Sequence, residues 1–411
     1  MKKINLGILR EGKVPPERRV PFTPQQAAEI MRRFPHVTVI YEKSDIRCFT
    51  DAEYAEAGIP IVSDAGSCDV LMGIKEVPVS NLRAGKTYFF FSHTMKMQPH
   101  NRELLQTVLE KKIRLIDYEA LRDISGKRLV AFGRYAGIVG TYNCFWVYGL
   151  RYNRYTLQRA FNCHDYDALK QELKKVDLPP VKIVLTGGGR VGKGAIEILD
   201  ILQIRRVGVD EFLNETPSEP VYVQLGSKDY HAHLQNQPFD RDEFHAHPER
   251  YKSDFLKFAQ EADMLIAGAY WNPAAPKLFA AADMTDPSFS IRIIADISCD
   301  IGGSIPATIK ATDVYDPVYD YNPTSRRAET PFSSEKNITV MAVDNLPCEL
   351  PRSASADFGR DLIDKILPSL LNEDTEGIIE RATLAVDGEL TEEFRYLEGW
   401  VAGGGGGGIG I

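Results

Sequence analysis

The chain has 411 residues, with 49 Lys and Arg against 57 Asp and Glu, a formal charge of −8. Nucleic-acid binding needs a basic face, and the basic pairs Arg18-Arg19, Lys111-Lys112 and Arg326-Arg327 are too short to build one. The apolar runs 88–91 and 264–269 fall far short of the roughly 20 residues a bilayer span requires. Nucleic acid and membrane are thereby excluded as partners, and a small molecule is the expected one. With 44% apolar and 26% charged residues, the composition is that of a globular protein.

The amino terminus, MKKINLGILREG, opens with two lysines, but Arg10-Glu11 interrupts the apolar run before a signal-peptide core forms. Six scattered cysteines, none in a CxxC pair, point to neither a disulfide framework nor a thiolate zinc site, and a reducing cytoplasm is the expected setting. The first 130 residues alternate strand and helix patterns, the signature of an α/β layer with a mainly parallel sheet. Strands are predicted over 5–9, 37–41, 70–75, 88–93 and 114–118, and a helix over 98–112, where Leu104, Leu105, Val108 and Leu109 form one stripe. The aromatic run AGIVGTYNCFWVYGLRY, 136–152, reads as a long buried helix leading out of this domain.

Pro179-Pro180 marks a boundary, after which the β-α-β pattern restarts with a strand at 181–186, a helix at 191–202 and a strand at 206–210. A polar stretch, 212–250, reads as a surface insertion; strands follow at 264–269, 291–297 and 339–343. Two amphipathic helices, 354–371 and 377–386, are expected to return to the first domain. The six glycines 403–408 read as a flexible end. The expected organisation is 1–135 plus 350–411 as a discontinuous first domain and 136–349 as a second.

Gly187, Gly189 and Gly192 satisfy GxGxxG between a predicted strand and a predicted helix. The first permits a tight turn, the second lets backbone approach a pyrophosphate, and the third allows close helix packing, with phosphates at the positive helix end. Arg190 and Val191 complete this loop, and Asp210, eighteen residues after Gly192, is read as ending the next strand, placed for a ribose diol. A carboxylate there repels a 2′-phosphate, so NAD is favoured; the neighbouring Arg205 and Arg206 keep NADP in play. The loop is no Walker motif, because Gly194 stands where a hydroxyl residue is required.

Open α/β sheets bind ligands beyond the carboxyl ends of their strands. Two titratable groups are read there: Lys75 closing LMGIK and His93 closing YFFFSH, a pair suited to acid-base chemistry. Taken singly, a solvated lysine and a hydrogen-bonded histidine are the plain alternatives. His231, His233, His245 and His247 form two His-x-His pairs without coordination spacing, so no metal is expected.

The segments LREGKVPPERRVPFTP, GIKEVP, YFFFSHTMKMQ, IRLIDYEALRD, GKRLVAFGRYAG, ADISCDIGGSI and MAVDNLPCELPRSAS resemble the alanine dehydrogenase, transhydrogenase and lysine-forming saccharopine dehydrogenase superfamily. FFFSHT, RLIDYE, VAFGRYAG, HPERY and DISCDIGGSI are similar to its saccharopine branch, notably the lysine-ketoglutarate reductase half of the bifunctional lysine-degrading enzyme. The resemblance implies an α/β fold of two Rossmann-like domains with parallel sheets and an interdomain active-site cleft. It implies Lys75 and His93 as the acid-base pair, Arg19 and Arg128 as carboxylate anchors, Glu76, Glu119 and Phe132 lining the lysine side of the pocket, and Asp344 near the nicotinamide. The reaction implied is a reversible NAD(P)-dependent oxidative deamination of saccharopine to lysine and 2-oxoglutarate.

An alanine dehydrogenase and a non-catalytic, transhydrogenase-like nucleotide module are the alternatives. Yeast-type members of the branch carry a cysteine where this chain has Val191, and the reductase half reads NADPH where Asp210 argues for NAD. No second, saccharopine-oxidising half is expected.

Overall fold

The computed structural model describes residues 3–403, so the glycine end expected at 403–408 lies, apart from Gly403, outside the described residues. The chain divides into two units, one running to Phe132 and resuming at Pro351, the other from Gly133 to Leu350. No helix among the described residues is long and apolar enough to cross a membrane.

The first unit opens with β1 (Ile4–Ile8), α1 (Pro24–Arg33), β2 (Val37–Glu42), α2 (Asp51–Glu56), β3 (Ile61–Val62), β4 (Val70–Met72), β5 (Thr87–Phe90), α3 (Arg102–Glu110) and β6 (Arg114–Asp117). Thr23 starts α1 through a reciprocal capping box with Gln26, and Pro24 supplies a pre-set first turn. The predicted stripe of α3 is buried at Leu104, Leu105 and Val108. β4 and β5 are shorter than the sequence suggests. Beyond Met72 and Phe90 the two chains exchange only single bonds, from Gly73 N to Phe89 O at 2.9 Å and from Phe91 N to Ile74 O at 3.0 Å, before both turn away.

The second unit begins with α4 (Gly133–Arg151), which is buried along most of its length, and α5 (Tyr166–Leu173). Then follow β7 (Lys182–Thr186), α6 (Arg190–Ile201), β8 (Arg205–Arg206), α7 (Val209–Asn214), β9 (Val221–Leu225), α8 (Ser227–Tyr230), β10 (His231–His233), α9 (Arg241–Ala246), β11 (Tyr251–Ser253) and α10 (Leu256–Ala259). The body of the sheet is completed by β12 (Met264–Ala267), β13 (Ile293–Asp296), β14 (Val318–Asn322), β15 (Arg327–Glu329) and β16 (Ile338–Met341). The strand order is β15-β14-β16-β13-β12-β7-β9-β8. The strands from β8 to β16 in this order pair in parallel, while β14 and β15 are antiparallel additions at one edge that the sequence reading passed over.

The 212–250 stretch is not all insertion. It contains β9, which pairs with β7 from Val221 to Leu225 and is as buried as its neighbours; the apolar VYVQL was hidden among charged and proline residues. What lies off the sheet is the β10–β11 hairpin with α9, packed on its own small core of Phe244, Tyr251 and Ala275. His231 Nδ1 faces Ser227 O at 3.0 Å and His233 Nδ1 accepts from Gln235 N at 3.1 Å. Among the described residues no group of three or more His, Cys, Asp or Glu could hold a metal.

From Pro351 the chain forms α11 (Pro351–Asp361), a π-helical turn (Leu362–Ile366), α12 (Leu367–Leu371), α13 (Ile378–Ala382), β17 (Thr383–Val386) and β18 (Glu389–Leu390). Pro368, which has no N–H to donate, sits where the expected continuous helix 354–371 widens into the π turn. The expected helix 377–386 is corrected to one helical turn and a strand. Asp387 and Gly388, both at positive φ (53° and 93°), reverse the chain as a hairpin turn demands. β17 lies antiparallel to β6, and the first sheet reads β18-β17-β6-β5-β4-β1-β2-β3. Both units are therefore α/β, each with a mostly parallel sheet of the Rossmann type.

In the second unit α4 and α6 meet backbone to backbone. A Cβ on Gly137 would lie 2.0 Å from Val191 O, and one on Gly194 would lie 2.0 Å from Arg134 O. Neither obstacle is a side chain that can rotate away. Gly137→Ala is expected to cost about 1–3 kcal/mol, the range for overpacking, read as a lower urea midpoint at unchanged slope.

Candidate active site

β4 and β5 are parallel neighbours, so their carboxyl ends share one edge of the first sheet. Lys75 lies three residues past Met72, and His93 three past Phe90, both in irregular chain rather than on the strands themselves. His93 adopts a left-handed backbone, φ 52°, which is uncommon for a residue with a side chain. Its Nδ1 is in close hydrogen-bonding contact with Glu76 Oε1, and its ring stacks 6.4 Å from that of Phe91. Burial raises the Glu76 carboxyl, but the hydrogen bond and charge of His93 outweigh it and leave it lowered to about 2. Lys75 is lowered from the usual lysine range, first by burial and then by the charges of Arg19 and Lys13. The structure thus sets Glu76 against His93, with Lys75 next to Glu76 in the chain, and burial disfavours the charged form of the lysine.

Two carboxyl groups that the sequence reading passed over hold this arrangement. Glu11, just past β1, accepts from the amides of Ile74 at 2.5 Å and Lys75 at 3.1 Å. Glu17 is fully buried and takes Arg19 in a two-point pair, Nε to Oε1 at 2.8 Å and Nη2 to Oε2 at 2.7 Å. That edge of the Arg19 fork is therefore committed within the protein, which narrows the role expected for it. Its guanidinium lies 4.1 Å over the Phe132 ring, and Phe132 stacks at 4.4 Å on Phe358 of α11.

Arg128 donates from Nε to Val130 O at 3.0 Å and stands 5.5 Å over Phe91. Its Nη1 is 3.7 Å from Glu119 Oε1, beyond hydrogen-bond range but close in charge. Both arginines, both pocket glutamates, Phe132, Lys75 and His93 belong to the first unit.

Burial, reinforced by Glu17, pushes the Glu11 carboxyl up to about 8 against the two amides that favour its charge. The folded chain then keeps a proton that the unfolded chain releases above 4.5, so this group's contribution to stability falls as pH rises from about 4.5 to about 8. Glu11→Gln lacks that titration. The stability gap between wild type and Glu11→Gln, measured by urea unfolding, is expected to be smaller at pH 8.5 than at pH 5.5; an unchanged gap contradicts the assignment.

In the second unit the glycine loop follows β7 and opens α6. Gly187 has φ +95°, and a Cβ there would meet the backbone of Gly268 and Ala269 at 2.9 Å. A Cβ on Gly192 would lie 2.3 Å from Gly187 O. Gly189, by contrast, is the N-cap of α6 and is exposed, and a Cβ on it would meet nothing within 4 Å. The fold requires two of the three glycines for its own packing, and the third keeps space open on the solvent side at a helix start. That is the room a pyrophosphate needs, so the loop fits a dinucleotide. Val191 packs toward Gly268 and Arg190 toward Gly133, so both serve as walls of the loop.

Asp344 is exposed just past β16, its amide donating to Thr312 O at 3.0 Å. Asp210 does not end a strand. It is the second residue of α7, exposed, and follows β8, which is separated from β7 by β9. Counting residues from the glycines reached the wrong strand because the chain visits the outer position before the inner one. The strand beside the glycine loop is β9, tied to it by Gln224 Nε2 donating to Gly187 O at 3.0 Å. The residues past its end are Gly226, Ser227, Lys228 and Asp229, of which Asp229 already accepts from Gly226 N at 2.7 Å.

Comparison with known proteins agrees with this architecture. Residues 7–139 match the alanine dehydrogenase/PNT N-terminal domain and residues 172–393 its C-terminal domain. An alpha-aminoadipic semialdehyde synthase of Arabidopsis thaliana is 30% identical over 95% of this chain and 41% of its own length, and the mitochondrial one of Mus musculus is 29% identical over 93% and 46%. The chain thus spans less than half the length of these relatives. A saccharopine dehydrogenase (NAD(+), L-lysine-forming) of Schizosaccharomyces pombe is 25% identical over 87% of this chain and 91% of its own. Among solved structures an L-alanine dehydrogenase superposes with a TM-score of 0.64 at 16% identity, covering 97% of this chain and all of that one, a likeness of fold. On the two domain matches, the chain belongs to the alanine dehydrogenase/PNT family.

Proposed function

We propose that the chain catalyses the reversible, NAD(P)-dependent oxidative deamination of saccharopine to lysine and 2-oxoglutarate. The observation that carries this reading is the gathering of a lysine of lowered pKa and a Glu76-bound histidine beside two arginines. The relatives named for saccharopine and aminoadipic semialdehyde support the choice of amine.

In the oxidative direction the secondary amine gives up a proton and the glutamyl α-carbon a hydride, leaving an imine. A bound nicotinamide would supply the acceptor for that hydride. Water adds to the imine carbon, the carbinolamine loses a proton from its hydroxyl, and its C–N bond breaks as the leaving lysine nitrogen is protonated. Several proton transfers at one carbon suit two titratable groups better than one. In this reading Lys75, lowered by burial, takes a proton and returns it at accessible pH, and His93, oriented through Nδ1 by Glu76, presents Nε2 to the substrate. Arg128 pairs with a substrate carboxylate, and Arg19, neutralised on one side by Glu17, adds a weaker cationic wall. The loop Gly187 to Gly192, with Arg190 and Val191, would hold the pyrophosphate of a dinucleotide, and Asp344 would serve its nicotinamide end.

The choice between NAD and NADP falls, in this proposal, to Ser227 and Lys228 rather than to Asp210, since they open α8 just past β9, the strand next to the glycine loop, whereas Asp210 follows the outer strand β8. A hydroxyl and an ammonium there suit a 2′-phosphate.

A 340 nm panel tests the reading: lysine plus 2-oxoglutarate should oxidise NADPH or NADH, and pyruvate plus ammonia should not; the opposite result makes the chain an alanine dehydrogenase. His93→Gln should lower turnover with saturating saccharopine by about 10²-fold, the usual worth of a general acid-base group. For the cofactor, Lys228→Ala should weaken NADPH binding several-fold relative to NADH in a fluorescence titration, as loss of a charged phosphate contact does. Asp210→Ala should leave that ratio unchanged.

A further inference from the structure

Asp117, the last residue of β6, is fully buried and has an organising place that the proposed chemistry does not itself use. Its Oδ2 accepts from the Ser92 amide at 2.9 Å and from Ser92 Oγ at 2.5 Å, and its Oδ1 accepts from the Glu119 amide at 2.7 Å. Ser92 Oγ is in turn 2.7 Å from Thr94 Oγ1. The residues on either side of His93 are thus fastened to one carboxylate, across the β5–β6 pairing, and the same carboxylate fixes the start of the turn bearing Glu119.

His93 needs such fastening. Its left-handed backbone is of the kind that costs energy and persists only where the surroundings over-determine it. On its own side the chain offers weak help, an Asn101 Nδ2 donor to His93 O at 3.4 Å and the Lys96 amide at 3.3 Å. Asp117, by contrast, offers one carboxyl oxygen to both the amide and the hydroxyl of the preceding residue and the other to the Glu119 amide, an arrangement of acceptors that an amide side chain cannot reproduce.

We propose that Asp117 is a positioning residue that acts through Ser92 to hold His93 against Glu76, and through the Glu119 amide to hold that carboxylate near Arg128. It touches neither substrate nor cofactor, being sealed beneath the strand ends. The inference rests on His93 as the acid-base group of the proposed reaction.

Asp117→Asn keeps shape but turns one acceptor into a donor that faces an amide N–H. Two measurements test it. In the lysine plus 2-oxoglutarate assay, Asp117→Asn should lower kcat at least about tenfold, as small misplacements of a reacting group do. In a His93→Gln background the same change should cost less than about twofold, because residues that act through one another are not additive.

Independently of turnover, diethyl pyrocarbonate followed by peptide mass spectrometry should modify His93 several-fold faster in Asp117→Asn, with the exposed His100 and His164 unchanged. Equal kcat losses in both backgrounds, or an unchanged modification rate at His93, overturn the proposal. If His93→Gln alone keeps full turnover, the acid-base reading fails instead, and the modification rates still decide whether Asp117 positions the ring. Should Asp117→Asn not fold, Ser92→Ala, which removes one hydroxyl, carries the same two tests with smaller expected changes.

Discussion

Main-chain amides that leave a strand without a ladder partner must still be satisfied, because an orphaned buried N–H costs about as much as a lost hydrogen bond. The first unit has Lys75, Glu76 and His93 just past its strand ends, where the ladder has run out. Its solution is to bring a carboxyl group from a neighbouring strand end to each such turn: Glu11 to Ile74 and Lys75, Asp117 to Ser92 and Glu119. The strand order β6-β5-β4-β1 makes this geometrically direct, since the two donor turns lie in the middle and the two acceptors flank them. Irregular chain gains the rigidity of a sheet without its flatness, and Glu76 meets His93 across the two turns.

Charge is balanced in the same economical way. Glu17 and Arg19 are buried together, and a buried pair is tolerable only when each partner finds its hydrogen bonds. Glu76 and His93 form a second pair, at the half-buried margin. Lys75 is left among more cationic than anionic influence, with burial the larger cause, and its ammonium form is the less favoured for it. The chain's overall charge of −8 gives no hint of this local balance.

Much of this was legible in the sequence, and the failures have identifiable causes. Periodicity marks most of the parallel strands of both sheets, with β9 the main exception, and the buried α4, whose aromatic run admits no other place. The glycine loop was readable because strand, turn and helix each left a separate mark. Lys75 and His93 are singled out in the sequence by a rule, a polar residue closing an apolar strand, that applies equally to Asp117 in RLID; what conceals Asp117 is that carboxylates look like solvated surface unless their partners are known. Glu11 lay in a quoted motif, yet its partners are 63 and 64 residues away. Asp210 misled because sequence distance cannot tell which of two successive strands lies inside the sheet. β17 was taken for helix although its Asp387-Gly388 turn was plainly written, since Ile378 to Ala382 does start as helix.

The sheet orders also show how each sheet stops. The first ends in β3 and β18, two residues each; the second ends in β8, Arg205-Arg206, and β15, Arg327 to Glu329. Arg205 is held by both Glu211 and Glu219, so the outermost strand is a ridge of paired charge. A long, flat, apolar edge is a template on which another chain can add a strand. Each of these margins is two or three residues long, and all but Ile61-Val62 carry charge, which leaves a protein rich in buried parallel strand with little means of polymerising edge to edge.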